Sequence, residues 1–569
     1  MKKPQIRRKQ AQSFFQTIYL LALAIVVLNT TSFAQAPVWN WAKAGSGAFA
    51  DNSSRTVTDN SGNVYVVGSF ASTTITFGAI TLTNASGGIA DLFIVKYDPN
   101  GNVIWAKSAG GASTDYASAI AIDNNNNVCI AGSFSSASLA FGPISITNNT
   151  SGSSDIFLAK FDSLGNIIWA KRAGGTISDF CNGIAIVGNG NILITGSFAS
   201  SLISFGSTVL TNQGSTDLFV AKYDQNGNVM WAKSHGGSDW DIGLSIKSDV
   251  SGNVFVTGYF KSSAINFGSI SLTNSSGSSF SDLFLVKYDS NGNVLWAQNP
   301  QGLFNKSGND LATDVNGNVY ITGYYQGPTL DFGTITVTNN SPSYSDSFTA
   351  KYDNNGNVIW ANSTGGAFYD VGNGVSVNAN GDVFVVGYFE APSISFGSNT
   401  LVNSGSSDIF ILKFASNGTP QWGISTGGPS QDWGNHLAIS NTGEIYLTGI
   451  FQSPTVTFGS TTLTNAGASF DVWIAKLSEL TGIHEHSQLA TFLLSPNPAS
   501  NQFSINLNGS FENAEVQITD VTGKEVFRNI FYENEQLILN TAELADGLYT
   551  VNITTREFTG SSKLIVQKK

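Results

Sequence analysis

The chain has 569 residues and a formal net charge of −12; only 12% of its residues are charged, whereas 12% are aromatic and 60 are glycine. Few charges, many turn-forming glycines and many aromatic side chains favour an all-β protein that is long enough for more than one domain. The acidic balance argues against nucleic acid or anionic lipid as a partner, because such a surface repels phosphate groups.

Residues 1–34 are predicted to be a secretory signal peptide. A basic head precedes the apolar run 18–28, which is too short to span a bilayer, and the small residues Ser32 and Ala34 favour cleavage after Ala34. Cleavage removes five basic and no acidic residues, so the exported chain has 22 basic and 39 acidic residues and a net charge of −17. No other stretch approaches the length of a membrane span, so we expect an exported, soluble product.

A repeat of about 64 residues occupies most of the chain. Phe-Gly pairs recur seven times at spacings of 64, 64, 62, 65, 64 and 62 residues. Tryptophans recur seven times as well, at Trp41, Trp105, Trp169, Trp231, Trp296, Trp360 and Trp422. Each copy contains four strand-like runs separated by turn signals, which in the second copy are residues 117–123, 127–134, 155–162 and 166–175. Four-stranded units in tandem are typical of a β-propeller.

The first and last repeats are each incomplete. The chain enters the repeat at a fourth strand, around Trp41, and leaves it after a third strand, at residues 471–478. We therefore predict a seven-bladed β-propeller over residues 38–480, closed by an N-terminal outer strand that completes the last blade. The extra residues between strands two and three, 70–91 in the first copy, predict a small hairpin or two additional edge strands.

Two segments of the first copy resemble a known family. The sequences GNVYVVGSF (62–70) and DLFIVKYDPNGN (91–102) are similar to the bacterial β-propeller repeat family of secreted and surface proteins. The resemblance covers roughly residues 38–480. It implies the fold but no single activity.

Strand order places the turns that join strands one to two and three to four on one side of the predicted ring. The D-x-x-G-N turns on that side mix Asp, Asn and Gly as calcium loops do, but they lack the ligand count that calcium needs, so we expect tight hairpin turns and no cofactor. The opposite side is expected to carry the hairpins and the Gly-Gly loops, and we expect a ligand-binding face there.

An aspartate stands in the corresponding loop of six copies, four residues after a glycine. The six are Asp51, Asp115, Asp179, Asp241, Asp370 and Asp432, and the remaining copy, the fifth, has Lys306. Aromatic residues lie beside several of them, namely Tyr116, Trp240 and Trp433. One interpretation is a ring of carboxylates at the channel mouth that binds cations or sugar hydroxyls. The other, which near-regular repetition favours, is that each aspartate accepts hydrogen bonds from its own loop.

Departures from the repeat are further candidates for ligand contact. The position of Ala119 and Gly183 in strand one is small in most copies, but three copies place Arg55, Asp310 and His436 there. If that position faces the channel, these side chains break its symmetry and contact a ligand; otherwise they are ordinary variation at a tolerant site.

Signals for catalysis are weak. There are four histidines and no recognisable nucleophile with a histidine partner, and no spacing singles out a pair of carboxylates. The two cysteines, Cys129 and Cys181, lie at non-equivalent positions of neighbouring repeats, where buried thiols are favoured over a disulfide, although pairing stays open.

A linker at 481–490 separates the repeats from a different unit at 491–569. Its short alternating strands predict a small Ig-like β-sandwich. The unit closely resembles the C-terminal sorting domain of type IX secretion substrates, as known from the Bacteroidetes. The matching residues are Pro496, Asn497, Pro498, Asp520, Gly523, Leu544, Gly547, Tyr549, Lys563 and Leu564. The resemblance implies export through the type IX machinery by way of the periplasm, followed by release or attachment to the outer surface.

The sequence as a whole predicts a secreted or surface-attached binding or adhesion scaffold for a glycan or protein ligand. Two alternatives stay open: a polysaccharide hydrolase or lyase on the same scaffold, and an envelope protein that binds no ligand. The sequence does not identify the ligand or the oligomeric state.

Overall fold

The computed structural model describes residues 37–479 except 151 and 278, and residues 492–568 except 507–512, 522, 533–536 and 556–558. The predicted signal peptide and linker lie outside the described residues. The chain divides into two compact units, one ending at Glu479 and the other beginning at Leu480. Within the described part of the chain every regular element is a β-strand, and no helix is long and apolar enough to cross a membrane.

The described part of the first unit contains six four-stranded antiparallel sheets and one six-stranded sheet, which is the same four-strand unit extended by a hairpin. These seven sheets resemble propeller blades. Strand one of each sheet is Asp51–Thr58, Asp115–Ile122, Asp179–Ile186, Asp241–Ser248, Lys306–Thr313, Asp370–Val377 and Asp432–Ile439. Strand two is Val64–Phe70, Val128–Phe134, Ile192–Phe198, Val254–Phe260, Val319–Tyr325, Val383–Phe389 and Ile445–Phe451. Strand three is Asp91–Tyr97, Asp155–Phe161, Asp217–Tyr223, Asp282–Tyr288, Asp346–Tyr352, Asp408–Phe414 and Asp471–Ser478. Strand four is Val103–Ala109, Ile167–Ala173, Val229–His235, Val294–Gln298, Val358–Thr364, Pro420–Thr426 and, in the seventh sheet, Val38–Ser46.

Burial within a sheet follows from its strand order. Strands two and three are apolar on both faces because both faces pack against neighbouring sheets, and nearly all of their residues are buried. Strand four lies at the outer edge and keeps exposed positions, as in Val103–Ala109. The turns between strands are held by aspartate: Asp59 accepts backbone N–H bonds from Ser61 and Asn63, both at 2.9 Å, and Gly62 supplies the positive φ of 77°.

The seventh sheet is assembled from both ends of the first unit. Val38–Ser46 pairs antiparallel with Asp471–Ser478, and the register places Ala42 opposite Ala475 and Trp41 opposite Lys476. Trp41 also donates its indole N–H to the carbonyl of Pro99, at 3.1 Å, and so ties this strand to sheet 1. The outer edge of Asp471–Ser478 is therefore covered by a strand that precedes it by more than 400 residues.

The inserted segments between strands two and three form two-stranded hairpins, as the sequence predicts. Their strands are Thr74–Phe77 with Ile80–Thr83, Ser138–Phe141 with Ile144–Thr147, Leu202–Phe205 with Thr208–Thr211, Ala264–Phe267 with Ile270–Thr273, Thr329–Asp331 with Thr336–Thr338, Ser393–Phe396 with Asn399–Val402, and Thr455–Phe458 with Thr461–Thr464. A further short strand, Gln301–Gly302, pairs with Thr329–Asp331.

We expected the hairpins on the face that carries the Gly-Gly loops. They lie instead between the outer strands of adjacent sheets. The hairpin of sheet 1 pairs with strand four of sheet 7 through Gly45 and Phe77, and its other strand contacts strand four of its own sheet. Ile75 and Phe77 are fully buried, and the rings of Phe77 and Phe93 are 5.0 Å apart. The sheets diverge toward the outside, so the hairpins fill a gap that four strands leave open.

In the described part of the second unit, two sheets enclose one buried core. The three-stranded sheet consists of Leu493–Ser495, Gln502–Asn506 and Ile538–Asn540, and the four-stranded sheet of Glu525–Tyr532, Asn513–Asp520, Gly547–Thr555 and Thr559–Val566. Phe503, Val516, Val551 and Leu564 are among the core residues. The predicted two-sheet arrangement agrees with this topology.

Deletion of residues 37–46 tests the covering strand. The deletion leaves Asp471–Ser478 as an unpaired edge, so we expect a lower thermal midpoint and self-association. Thermal unfolding and size-exclusion chromatography with light scattering measure both effects, and a synthetic peptide of residues 37–46, added in excess, restores the midpoint. A deletion variant that stays monomeric with an unchanged midpoint contradicts this role.

Candidate functional site

The first strands of all seven sheets line one cavity of about 380 Å³. Each first strand contacts the next around the set, and the seventh contacts the first. The lining comes from the fourth to the seventh positions after the opening residue of strand one, and the charged side chains are at the fourth and the sixth. The fourth position holds Arg55, Ala119, Gly183, Ser245, Asp310, Gly374 and His436, and the sixth holds Val57, Ala121, Ala185, Lys247, Ala312, Ser376 and Ala438. Small residues leave the cavity open, and the charged exceptions define its chemistry.

Arg55, Asp310 and His436, which the sequence singled out separately, meet inside this cavity. Asp310 is fully buried, and its Oδ1 lies 2.8 Å from Arg55 Nη1 and accepts a hydrogen bond from Ser245 Oγ at 2.8 Å. Its Oδ2 accepts the Val375 N–H at 3.0 Å. Burial by itself raises the pKa of Asp310, but Arg55, helped by His436, Lys247 and the Val375 amide, lowers it to about 2. The carboxylate is therefore ionised at neutral pH.

His436 is a neutral partner in this cluster. Its Nδ1 accepts the Thr56 N–H at 3.3 Å, which leaves the proton on Nε2, 3.6 Å from Asp310 Oδ2. Burial, reinforced by Arg55, holds the pKa of His436 well below its ordinary value. The cluster thus carries one full negative charge, on Asp310, and the cation of Arg55 opposite it.

Lys247 is a fourth member that our sequence reasoning missed. It is half-buried on the cavity wall, and burial lowers the pKa of its ammonium, an effect that Asp310 opposes and Arg55 adds to. Aligning the copies at the sixth position would have revealed it, since the other six copies carry valine, alanine or serine there.

We expected the ligand-binding cavity at the start of the first strands, on the side of the Gly-Gly loops. The cavity extends instead toward the ends of these strands. Its lining includes Thr58, at the end of strand one, and Asn441, in the turn that follows another first strand. The assignment of Arg55, Asp310 and His436 to the hairpin and Gly-Gly loop face is therefore wrong, because the fourth and sixth positions lie toward the turns between strands one and two.

The six aspartates that open the first strands are not exposed around a channel mouth. All six are fully buried. Asp179 is representative: its Oδ2 accepts hydrogen bonds from the Gly175 N–H at 2.8 Å and from Ser200 Oγ at 2.9 Å, and its Oδ1 accepts the Ser200 N–H at 3.2 Å. These contacts follow the interpretation in which each aspartate fastens its own loop.

Each of these loops contains a second carboxylate, from strand three of the preceding sheet. Asp51 interacts electrostatically with Asp471, Asp241 with Asp217, and Asp370 with Asp346. Burial raises the pKa of Asp51, Asp241 and Asp370 to about 7, although hydrogen bonds to each of them act in the opposite direction.

Lys306 replaces one member of such a pair. It is fully buried, and its ammonium lies 3.2 Å from Asp282 Oδ1, 2.8 Å from the carbonyl of Gly302 and 2.7 Å from Ser276 Oγ. The ammonium of Lys306 neutralises Asp282. In the other copies the residue equivalent to Asp282 faces a second aspartate instead of a lysine. The divergence of the fifth copy is therefore structural.

The aromatic candidates differ in exposure. Trp240 is 47% exposed, its indole N–H donates to Ser215 Oγ at 2.9 Å, and Lys261 Nζ lies 5.0 Å from its ring centroid. Trp433 is half-buried; its indole N–H donates to Ser407 Oγ at 2.9 Å, and its ring stacks on Tyr388 with centroids 5.0 Å apart. Tyr116 is half-buried at the equivalent position of sheet 2.

Three tyrosines were missed by the sequence reasoning. With Trp433, which it named, they form a half-buried aromatic surface on sheets 4 to 7. We call Tyr259, Tyr324, Tyr388 and Trp433 the tyrosine crescent. Tyr259, Tyr324 and Tyr388 occupy one position of strand two, where sheets 1 to 3 carry Ser69, Ser133 and Ser197. Two residues further on, sheets 4 to 7 carry Lys261, Gln326, Glu390 and Gln452, whereas sheets 1 to 3 carry Ala71, Ser135 and Ala199. A comparison of the copies would have revealed these tyrosines, because GSFA-like segments in sheets 1 to 3 are replaced by GYFE-like segments in sheets 4 to 6.

The crescent lies at the loop end of the strands. Tyr388 pairs with Val371, the second residue of its strand one, and Tyr324 pairs likewise with Ser307. Tyr324 is near enough to Tyr259 and Tyr388 to raise the pKa of each hydroxyl, although burial is the larger cause. The three tyrosines therefore lie in turn on neighbouring sheets. Aromatic rings with one polar edge and one accessible apolar face are suited to contact with sugar rings.

The two cysteines are free and fully buried, and burial raises the pKa of each thiol to about 12. They are therefore unreactive core residues. The described residues contain no group of three or more His, Cys, Asp or Glu side chains arranged to hold a metal ion.

The residues that carry the sorting-domain resemblance support the fold of the second unit. Asn497 donates its side-chain N–H to the carbonyl of Lys563 at 2.7 Å and accepts the Ile565 N–H at 2.8 Å. Tyr549 donates its hydroxyl to the carbonyl of Ala545 at 2.9 Å. Gly523 closes the turn after Asp520 with a φ of 83°, and Gly547 begins the strand Gly547–Thr555. Pro496 and Pro498 flank Asn497.

Residues 494–567 match the family model of the secretion system C-terminal sorting domain. The match implies interaction with the type IX secretion machinery, export, and a secreted or cell-surface location.

The chain is similar to two curated proteins. An uncharacterised WD repeat-containing protein of Acanthamoeba polyphaga mimivirus is 26% identical over 476 residues, which is 69% of this chain and 34% of that protein. The regulatory protein FlaEY of Caulobacter vibrioides is 26% identical over 328 residues, 52% of this chain and 33% of that protein. The chain thus spans about a third of the length of the curated relatives it matches. These relatives support repeats of the WD40 or β-propeller kind.

Among solved structures, the WD40 domain of Neurospora crassa Pan2 aligns with 13% identity and a TM-score of 0.37, covering 78% of this chain and 96% of that one.

The paired carboxylates predict that the protein is more stable at mildly acidic pH. Because the folded pKa of Asp51, Asp241 and Asp370 is raised from 3.8 to about 7, the folded state retains protons that the unfolded state releases. Their contribution is fully present below about pH 4 and is lost as the pH rises through 7. We expect the thermal midpoint of the full chain, measured by calorimetry at fixed ionic strength, to fall from pH 5 to pH 8.

Asp370→Asn is the matched variant for this prediction. Asp370 lacks the serine partner of the other copies, since Ala391 stands there, and its Oδ1 has no hydrogen bond. A neutral amide removes one titrating group next to Asp346. The decrease in unfolding free energy between pH 5 and pH 8 should therefore be smaller by about 1–3 kcal/mol, and the decrease in thermal midpoint correspondingly smaller. A midpoint that rises between pH 5 and pH 8, or an unchanged slope in Asp370→Asn, contradicts the assignment.

Proposed function

We propose that this protein is a surface or secreted binding scaffold, exported by type IX secretion, that holds a glycan on one face of a closed seven-bladed β-propeller. The sorting-domain match over residues 494–567 supports the export route. The signal peptide at 1–34 would provide entry to the periplasm, and the second unit would serve as an Ig-like sorting domain of the Bacteroidetes kind.

The architecture supports a single ring of seven blades. One cavity is lined by all seven first strands, and the N-terminal strand Val38–Ser46 completes the last sheet. In a closed ring the inner edges of the sheets face the central cavity, so the edges that remain are short and protected. Such a scaffold holds residues from several blades in fixed positions, which a multi-point binding face requires.

The tyrosine crescent is the observation that carries the binding proposal. Tyr259, Tyr324, Tyr388 and Trp433 are half-buried and lie on sheets 4 to 7 in turn, with Gln326, Glu390 and Gln452 two residues after the strand-two position. Trp433 is already held in place by Ser407 and by stacking on Tyr388, so little conformational entropy is lost on contact with a ligand. Aromatic faces would stack on sugar rings, and the amide and carboxylate groups would bind hydroxyls.

We assign no catalytic step to the carboxylates of this protein. The carboxylates of the first strands recur in six copies and are buried inside loops, which suits a structural role for them. The alternative of a hydrolase or lyase requires a singular carboxylate pair that reaches a bound chain.

Binding is tested with the full exported chain, residues 35–569, on a panel of immobilised and soluble polysaccharides, while retention and release of soluble sugar are both recorded. We expect retention of at least one polysaccharide without release of sugar. Trp433→Ala should weaken retention about tenfold or more, since aromatic anchors carry much of the energy of such contacts. The control is Tyr116→Ala, which removes the aromatic side chain at the equivalent position of sheet 2.

Three outcomes of that experiment contradict the proposal. Release of sugar indicates an enzyme, absence of retention across the panel indicates a structural envelope protein, and equal losses in Trp433→Ala and Tyr116→Ala place the ligand elsewhere. Thermal midpoints of both variants establish that the effects are not caused by unfolding.

Export is tested in a cell with an active type IX system by fusing residues 481–569 to a periplasmically delivered reporter. We expect the fusion to reach the medium or the cell surface, and Asn497→Ala to retain it in the periplasm because the contacts to Lys563 and Ile565 are lost. The control is Thr519→Ala, which changes a half-buried threonine on another strand and keeps those contacts. Surface delivery in a strain without the type IX machinery contradicts this route.

A further inference from the structure

Two cations and one carboxylate share the cavity formed by the first strands. The charged side chains of its lining are Arg55, Lys247 and Asp310, and His436 is neutral. Asp310 is already engaged on both oxygens, by Ser245 and Arg55 on one and by the Val375 amide on the other. It balances one positive charge, so the cavity has an excess of one positive charge inside a protein of net charge −12.

Lys247 is the source of this excess. No hydrogen bond or ion pair of its ammonium group is found among the described residues, and the nearest opposite charge, Asp310, interacts with it only at longer range. Arg55 can still donate from its other nitrogen: its side chain is 17% exposed, and its Nη2 reaches only the carbonyl of Asn309, at 3.5 Å. Unpaired cationic donors in a confined space favour an anion.

The cavity has the size and lining of a ligand site. Its volume of about 380 Å³ lies within the range of small-molecule pockets. At the level of Lys247 and beyond it, toward the turns between strands one and two, the lining includes five residues with hydroxyl or amide groups, Thr58, Ser248, Thr313, Ser376 and Asn441. The apolar residues Ile122, Ile186, Val377 and Ile439 lie among them. A ligand that carries both an anionic group and hydroxyls would use both parts of the wall.

We propose that this cavity binds a small sugar acid, with its carboxylate between Lys247 and Arg55 and its hydroxyls toward Thr58, Thr313 and Asn441. A carboxylate matches the planar guanidinium and also neutralises the unpaired ammonium. Inorganic phosphate shares the charge but offers no hydroxyl pattern for the polar wall. This site is separate from the tyrosine crescent, because the crescent lies at the start of the first strands and the cavity extends to their ends.

The first experiment titrates the chain of residues 35–569 with sodium galacturonate and sodium glucuronate by calorimetry at constant ionic strength. Galactose and glucose are the neutral counterparts, and inorganic phosphate is the anion without a sugar ring. We expect one site for a sugar acid, no heat from the neutral sugars, and weaker binding of phosphate. Binding of galactose as strong as that of galacturonate, binding of phosphate as strong as that of the sugar acids, or no binding of either acid overturns the proposal.

Lys247→Ala is the decisive variant, because alanine stands at the equivalent position of four other copies and is compatible with the strand. We expect it to weaken binding of the sugar acid about tenfold or more. Lys233→Ala, which removes an exposed lysine of the same sheet, should leave binding unchanged. An unchanged affinity in Lys247→Ala, or an equal loss in both variants, overturns the assignment.

The outcomes separate this site from the proposed polysaccharide face. Trp433→Ala should leave the galacturonate titration unchanged, and Lys247→Ala should leave polysaccharide retention unchanged. Loss of sugar-acid binding in Trp433→Ala would overturn the separation and place the ligand at the crescent.

Discussion

Seven sheets that converge on one cavity and diverge toward the outside impose opposite demands on the two ends of each sheet. At the inner strand there is little room, and alanine, glycine, serine or valine occupies most of the fourth and sixth positions. At the outer strand there is too much room, and a hairpin with buried Ile75 and Phe77 fills the gap in the first copy. The repeat length of about 64 residues follows from this geometry, because four strands alone leave the outer space unfilled.

Buried polar groups hold the loops that connect these sheets. The Asp179, Ser200 and Gly175 contacts recur with small changes around the structure, and each replaces solvent hydrogen bonds that a buried loop loses. The facing carboxylates add a cost at neutral pH, which the fifth copy avoids by using Lys306. The same principle of paired charge operates in the cavity between Arg55 and Asp310, whereas Lys247 has no such partner.

Sequence reasoning predicted those features that all copies share. Period-two alternation and glycine-rich turns identified the four strands, the incomplete end copies identified the pairing of Val38–Ser46 with Asp471–Ser478, and the insert length identified the hairpins. The position of the hairpins was wrong because nothing in a linear sequence reports that sheets diverge. The burial of Asp115 and its counterparts was undecided because the sequence around an aspartate in a turn is the same whether its carboxylate faces solvent or accepts hydrogen bonds from loop amides.

The features that the sequence reasoning missed are those that differ among copies. Lys247 replaces alanine or a similar small residue at one position, and Tyr259, Tyr324 and Tyr388 replace serine at another. A search for the shared motif averages such differences away. Arg55, Asp310 and His436 were noticed as departures, but their meeting in one cavity depends on which strand positions face inward, and the β-bulge at residues 53–55 shifts that alternation by one residue.

The pairing of Ala42 with Ala475 has a kinetic consequence. Contacts between residues so distant in the chain form late, because the entropy of closing the intervening loop must be offset before the contact stabilises anything. We therefore expect the last sheet to acquire its outer strand after the other sheets have formed. The same strand must detach before the two ends of the first unit can separate, so one short segment near the N-terminus influences both the final step of folding and the first step of unfolding.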